Sequence, residues 1–533
     1  MYIILVLCTY VRYNLHICCF DAGWYMKSKI PEDILNLRPE KCCRLRKDGD
    51  IYRVYKYHSV KLPSGKWGAN GGIYIGKIVP GIGFIANKRY LTELEIRKCT
   101  DQSQINDIVL ESEKLTDLSY GIYSFLENTS NDVYTNLCKC FQVDVATQIY
   151  VYSLILCANG FMHIDQINEE FQESYLSVKH KKLGLKMGYA ALSKLLHDLG
   201  AKGNPVTRFQ QILIDNSSKN IAIDGHVIRS CSQENDLAEP GYKMSLLKAD
   251  QVNLLIAFDV KTNLPLIYKT YRGSSVDKRS VLDFLEAQKF ENTKFMVDRG
   301  FFSEDVLKLM STNGNCYVIP LAVNNSNFTR IKETLEYSSG EFVYKDNTKN
   351  SARVVYYEEN LDDNTRIIIY KDLDENNSKR KSYLHNLGLG ESGYTQKKYD
   401  EYCEWWGVIP IQTTAKGPAF EIYNDFKSRW SIETFNNYIK NYARFVNLKI
   451  QDYYIEKGFN FIMLVTGLLH AKLNNLVKSL NNPNLSTYDM LVKARHIRIV
   501  HYPSGWKLHN TRTKDLELFK TLNWVPPVSI NLD

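Results

Sequence analysis

Apolar residues recur along this chain in three rhythms. Between residues 50 and 90 the spacing is two: Ile51, Arg53, Tyr55 and Tyr57 alternate with Tyr52, Val54, Lys56 and His58. Side chains of a strand point alternately to its two faces, so the stretch reads as β. The turn-rich Pro63-Ser64-Gly65 and Gly71-Gly72 follow, then a second run over Ile73–Ile78. A small β-hairpin module is predicted over 26–90. From 91 to 215 the spacing becomes helical. Val145–Cys157 is strongly apolar, and Ala190, Ala191, Leu192, Leu195, Leu196 and Leu199 share one face before Gly200 ends the run.

Near residue 218 short unbroken apolar runs take over. Ile221-Ala222-Ile223-Asp224 reads as a buried strand ending in a carboxylate. Val252–Val260 and Leu264–Thr270 are two more strands, joined by the turn Thr262-Asn263. Val276–Gln288 has a helical pattern. Lys294–Asp298 is another buried strand ending in Asp, Ser303 is placed to cap a helix, and Tyr317–Leu321 is the next strand. Hairpin-linked strands followed by strand–helix units predict a mixed α/β sheet. Residues 322–407 break the pattern with strands at Glu341–Lys345, Arg353–Glu358 and Arg366–Lys371, and read as a β-rich insertion. Gly407–Thr413 returns the chain to the α/β unit. Helices then run to about 480, among them the core-like Phe459–Leu469.

The resulting plan has six parts. Residues 1–25 are a leader or a mis-called start, with Met26 opening a conventional polar beginning. A β module spans 26–90 and a helical region 91–215. The α/β core comprises 216–321 and 408–480, interrupted by the insertion at 322–407. A mixed tail, with a helix and a strand at His496–His501, fills 481–533.

Composition narrows the class. The 533 residues are 44% hydrophobic and 12% aromatic, so packed cores are affordable and long disorder is not expected. The net charge is +8, which permits phosphate contacts without requiring them. Lys61, Lys66, Lys77, Lys88 and Arg89 make the β module basic; a solvated face and a DNA-end contact both suit that. Lys179, Lys181, Lys182 and Lys186 lie between predicted helices, which form either a helix-turn-helix-like DNA reader or an ordinary packing unit. None of the 12 cysteines forms a CxxC pair, so free thiols in a reducing cytoplasm are expected. The apolar Met1–Val11 lacks a preceding positive region and is too short to span a bilayer; no membrane partner is expected.

Cleaving a phosphodiester needs an activated water and a stabilised leaving oxygen, and two divalent cations about 3.5–4 Å apart supply both. Hard cations want carboxylates converging from separate elements. Asp224 and Asp298 would meet if their strands lie side by side. Taken singly, each is an ordinary turn or cap residue. On a helix over Asn424–Tyr442, Phe426, Arg429, Glu433 and Lys440 fall within about 60° of one another. Ile432, Phe435, Ile439, Tyr442 and Val446 cluster roughly opposite. Taken alone, that stripe reads first as a solvated face with an Arg429–Glu433 ion pair.

The segment Phe426-Lys-Ser-Arg429-Trp430-Ser-Ile432-Glu433, followed after six residues by Lys440, resembles the third motif of bacterial insertion-sequence DDE transposases. In that group the motif reads Tyr, Arg, Glu, Lys. The spacings match, with Phe426 at the Tyr position. Ile221–Gly225, Phe295–Ser303 and Trp406–Thr413 are similar to the first-Asp strand, the second-Asp motif and the strand leading to the third motif. Gly273–Asp277 resembles a small-residue loop of the family.

The resemblance implies a ribonuclease-H-like core with a β-rich insertion. It implies metal-binding, catalytic Asp224, Asp298 and Glu433 with two Mg²⁺ ions, for which Mn²⁺ substitutes. It implies cut-and-paste transposition: cleavage of transposon terminal inverted repeats in double-stranded DNA and strand transfer into target DNA by a cytoplasmic, nucleoid-associated homodimer. Arg429 and Lys440 would contact phosphates, with Phe426 and Arg299 as further DNA contacts. Trp405 or Trp406 would stack on an unpaired base. A catalytically idle DNA-binding protein from a decayed element and a ribonuclease-H-like nuclease without strand transfer remain as alternatives.

Overall fold

The computed structural model describes residues 30–41, 43–57, 59–61, 67–69, 72–96, 117–232, 234–241, 249–275, 277–322, 325–332, 339–345, 351–441, 447–448, 450–502, 505–527, 529–530 and 532. The proposed leader 1–25 and start at Met26 lie outside them, as do Pro63-Ser64-Gly65, Lys66, Gly71, Val276, Tyr442 and Val446. The chain forms two compact units, Met1–Glu113 and Lys114–Asp533.

The first unit holds a four-stranded antiparallel sheet rather than a single hairpin. Its strands Cys43–Asp48, Ile51–Lys56, Ile73–Val79 and Gly83–Ala86 lie in that order. Alternation puts Tyr52 and Val54 inside with Cys43, Ile75, Ile78 and Tyr90. Lys56 follows them inward and is paired with Glu40 at 3.3 Å and Glu93 at 2.8 Å. A buried ammonium is tolerated only when paired in this way.

The second unit begins with helices α1 (Gly121–Cys140), α2 (Val143–Asn159), α3 (Tyr189–Ala201) and α4 (Gly203–Asp215), with shorter ones between α2 and α3. Helix α2 is apolar nearly all round, and most of it is buried. No single described helix is long and apolar enough to cross a membrane.

The large sheet uses β1 (Asn220–Ser230), β2 (Asp250–Asp259), β3 (Leu264–Arg272), β4 (Lys294–Val297) and β5 (Cys316–Pro320), with α5 (Asp277–Glu286) crossing between β3 and β4. It continues with β6 (Gly340–Lys345), β7 (Ser351–Asn360), β8 (Arg366–Asp372) and β9 (Val408–Thr413). The strand order is β3-β2-β1-β4-β5-β9-β8-β7-β6. Strands β1 to β3 are antiparallel neighbours, while β4 runs parallel to β1 and β5 parallel to β4. This 3-2-1-4-5 half is the ribonuclease-H-like mixed sheet expected from the sequence.

The insertion strands continue the same sheet, since β8 pairs with β9 and β9 with β5. Where only strands were expected, the insertion also contains a short helix, Ser326–Lys332, and the helices α6 (Leu373–Gly388) and α7 (Gln396–Tyr402). The Asp372 carboxylate caps α6 by accepting from Glu375 N at 2.8 Å. Of α6, only Asn376 is buried, so it carries no apolar stripe to read.

Two layers sandwich the core sheet. On one face Ile221, Ile223, Leu255, Ala257, Phe295 and Val297 pack against Val281 and Phe284 of α5. On the other lie α8 (Ala419–Ser428), α9 (Trp430–Asn441) and α10 (Tyr453–Ser479). Phe435 of α9 packs on Phe258 of β2, with ring centroids 5.2 Å apart. Helix α10 crosses α3 at two glycines. A Cβ on Gly200 would lie 2.0 Å from Tyr454 O, and one on Gly458 1.9 Å from Leu196 O. The expected tail strand is Arg498–Tyr502, paired with Gly505–His509 and with Asp117–Ser119.

Candidate active site

Strand β4 meets β1 in parallel register, with Val297 opposite Ile223. The next residue on each strand is an aspartate, so Asp298 and Asp224 are brought side by side. Ile221 and Ile223 enter the α5-side core, which turns Asp224 to the opposite face, towards α9. Here one expectation is corrected. Asp224 does not end its strand, because β1 continues to Ser230. The extension reads His226-Val227-Ile228-Arg229, with alternate residues buried, and pairs with β2 along its length. On its other side β4 stops at Val297, and the short strand Asn447–Leu448 pairs only with Arg229 and Ser230. Among the described residues, the β1 edge from Asp224 to Ile228 therefore has no strand beside it there. The aspartates lie where that gap begins.

The Asp224 carboxylate accepts from Gly225 N at 2.8 Å and from Asn436 Nδ2 of α9 at 3.0 Å. Asp298 is exposed and accepts from Arg299 N at 2.9 Å, capping the turn Arg299–Phe301.

Glu433 stands on the first turn of α9. The single helix expected over 424–442 is two helices that meet at Arg429, where Arg429 N and Ile432 N each bond three residues back. That tighter i→i+3 pattern interrupts the 100° spacing, so Phe426 belongs to a different helix from Glu433 and Lys440. The apolar face packs as anticipated: Ile432, Phe435 and Ile439 are buried. Arg429 Nη2 lies 3.4 Å from Glu433 Oε1, so the anticipated ion pair is present. The guanidinium sits over the Phe426 ring, 5.9 Å from its centroid, and its buried Nε has no hydrogen-bond acceptor among the described residues.

Burial pushes the Glu433 carboxyl above the usual carboxylate range. Arg429 opposes that shift, while Asp224 and Asp298 both add to it. Glu433 thus senses both aspartates through space. Even so, no three His, Cys, Asp or Glu side chains among the described residues stand close enough together to enclose a metal ion. Each of the three carboxyls turns to its own donor, Asn436 and Gly225, Arg299 N, or Arg429, and like charge keeps them apart. The donor set still suits a hard divalent cation, being all carboxylate oxygen. A buried oxygen without a partner among the described residues, Asn436 Oδ1, lies on the amide that touches Asp224.

Arg299 and Lys440 are exposed and make no ion pair among the described residues. The two tryptophans differ. Trp405 packs beside Phe328 and Ile367, with Lys332 Nζ 4.2 Å from its ring centroid. Trp406 lines an open cleft of about 540 Å³ with Tyr383, Tyr394, Lys379 and Lys398. Its ring lies 5.1 Å from Tyr383 and 5.7 Å from Tyr399. The sequence reading missed Asn436, Tyr383 and Tyr394. Asn436 was detectable as the residue one turn beyond Glu433; the tyrosines lie on unforeseen insertion helices and loops.

Residues 216–454 match the family described as Transposase DDE domain, a little under half of the chain, and the match contains Asp224, Asp298 and Glu433. No curated protein matches. Among solved structures, the chain is similar to a piggyBac transposase synaptic complex with hairpin DNA. The identity is 12% and the TM-score 0.34, over 67% of this chain and 71% of that one.

Proposed function

We propose that this chain is a DNA transposase that cleaves transposon ends and joins them to target DNA, with Asp224, Asp298 and Glu433 holding its divalent cations. One observation carries the reading. Inside a segment matching the transposase DDE domain, the ionisation of Glu433 is opposed by both Asp224 and Asp298. A carboxyl whose ionisation is opposed by two aspartates from separate elements belongs to a site whose natural counter-ion is a cation.

Mg²⁺, or Mn²⁺ in its place, would supply Lewis acidity at the scissile phosphate. The chain's own residues do the rest. Strand β1 carries Asp224, Asp298 follows the end of β4, and α9, packed through the buried Phe435, would present Glu433 to the same ion. Arg429, held against Phe426 with its Nε unsatisfied, donates to a phosphate oxygen. Lys440 and Arg299 are exposed charges that draw in the DNA backbone. Water attacks the end phosphodiester, and the freed 3′-hydroxyl then attacks the opposite strand or the target. The Trp406 cleft takes an unpaired base by stacking. Two copies of the chain pair two DNA ends.

An excision assay tests the proposal. A plasmid carries a selectable marker between the sequences flanking this gene, and the protein is supplied separately. Excision with wild type, and its loss with Asp224→Ala, Asp298→Ala or Glu433→Ala, is expected. Undiminished excision by any of the three variants contradicts the assignment.

A further inference from the structure

Asn436 lies three residues beyond Glu433 on α9, so both side chains leave the helix on the same side. It is 7% exposed, and its Nδ2 reaches Asp224 Oδ2 at 3.0 Å across 212 residues of sequence. Chemistry fixes the orientation of this amide. An amide oxygen turned to a carboxylate would set two acceptors face to face, so the N–H group must be the one that meets Asp224. With Gly225 N on the other oxygen, both Asp224 oxygens are held and the carboxylate plane is set. The amide oxygen, Oδ1, is then buried with no partner among the described residues. An acceptor left buried in this way calls for an explanation, such as a water or an ion that it serves.

We propose that Asn436 is a positioning residue of the cation site: its N–H fixes the orientation of the Asp224 carboxylate, and its carbonyl oxygen accepts from the water shell of the bound ion. The proposal rests on reading the three carboxylates as a metal site. Groups that orient a ligand are worth roughly 10–100-fold in metal affinity. Asn436 also has the chemistry for both states of the site. It is a donor to a bare carboxylate and an acceptor for water polarised by a cation.

The test is calorimetric titration of the full chain with Mn²⁺, without DNA, comparing wild type, Asn436→Leu, Asn436→Ala and Asp224→Ala. Leucine matches the shape of asparagine and removes both polar atoms. Its melting temperature without cation should equal or exceed that of wild type, because no buried acceptor remains unpaired. Its Mn²⁺ affinity should fall about tenfold or more, and end cleavage should recover as Mn²⁺ is raised, since the defect lies in holding the ion. Should Asn436→Leu fold poorly, Asn436→Ala is read in the same way. A variant that folds and titrates like wild type overturns the role of Asn436. Wild type that takes up no Mn²⁺, or Asp224→Ala that takes it up equally, overturns the metal site beneath it as well.

Discussion

Val297 of β4 lies opposite Ile223 of β1 in parallel register, and that single pairing makes neighbours of two aspartates far apart in sequence. Register is specified by which face is buried, and here both partners enter the α5-side core. A one-residue slip of β4 would turn Asp298 to the wrong face. The geometry of the candidate site is thus a consequence of core packing.

The Glu433 carboxyl is predicted to destabilise the fold when charged. Its proton affinity is raised by burial, Asp224 and Asp298 against the pull of Arg429. A carboxyl with a raised folded pKa stabilises the fold below the unfolded pKa, and that stability is lost as pH rises through the folded value. In metal-free buffer at neutral pH, Glu433→Gln should therefore melt higher than wild type, with the gap closing as the pH falls into the ordinary carboxylate range. A lower melting temperature for the variant at neutral pH would contradict this.

Glu456 offers a second pH signature, away from the three acids. It is fully buried in the first turn of α10, accepts from Asn235 Nδ2 at 3.0 Å, and burial pushes its carboxyl up to about 7. By the same sign rule, wild type should lose stability as pH rises from about 4, the unfolded glutamate value, through about 7. Glu456→Gln should flatten that slope in thermal melts across the interval. An unchanged slope would show that another group is responsible.

The α3–α10 crossing depends on the absence of side chains at Gly200 and Gly458. A Cβ at Gly458 would lie 1.9 Å from the Leu196 carbonyl oxygen, part of a backbone that cannot swing aside. Gly458→Ala should cost at least the ~1–3 kcal/mol typical of overpacking, measured by urea unfolding. A variant as stable as wild type would mean the helices separate freely.

The Trp406 cleft should favour unpaired over paired DNA. Its tilted rings and its lysines match the stacking and charge of a base with its phosphate. Stacking contributes ~1–3 kcal/mol per base, so Trp406→Ala should weaken binding of a short single-stranded oligonucleotide by about fivefold or more by fluorescence anisotropy. Trp405→Ala, which removes a packed ring, should instead lower the melting temperature.

Much of this was legible in the sequence because burial writes itself into short apolar runs. Ile221–Ile223 and Phe295–Val297 are buried, and each announces the carboxylate that follows. The apolar side of α9 was readable for the same reason. What failed to show was whatever burial does not control. The extension of β1 past Asp224 has mixed polarity. The break at Arg429 is a local change from i→i+4 to i→i+3 bonding with no proline or glycine to mark it. Helix α6 buries one polar residue and shows no stripe. Asn436 looked like any polar helix position until the fold brought Asp224 within 3.0 Å.

The most direct measurement uses purified protein and end-labelled DNA carrying the inverted repeats that flank the gene, incubated with and without Mg²⁺ or Mn²⁺. Wild type is predicted to cut at the repeat end only when the cation is present, and Asp224→Ala, Asp298→Ala and Glu433→Ala, each folded by thermal melt, are predicted to leave the DNA intact. Cation-independent cutting, or wild-type cutting by any one of these variants, would contradict the assignment of these three carboxylates.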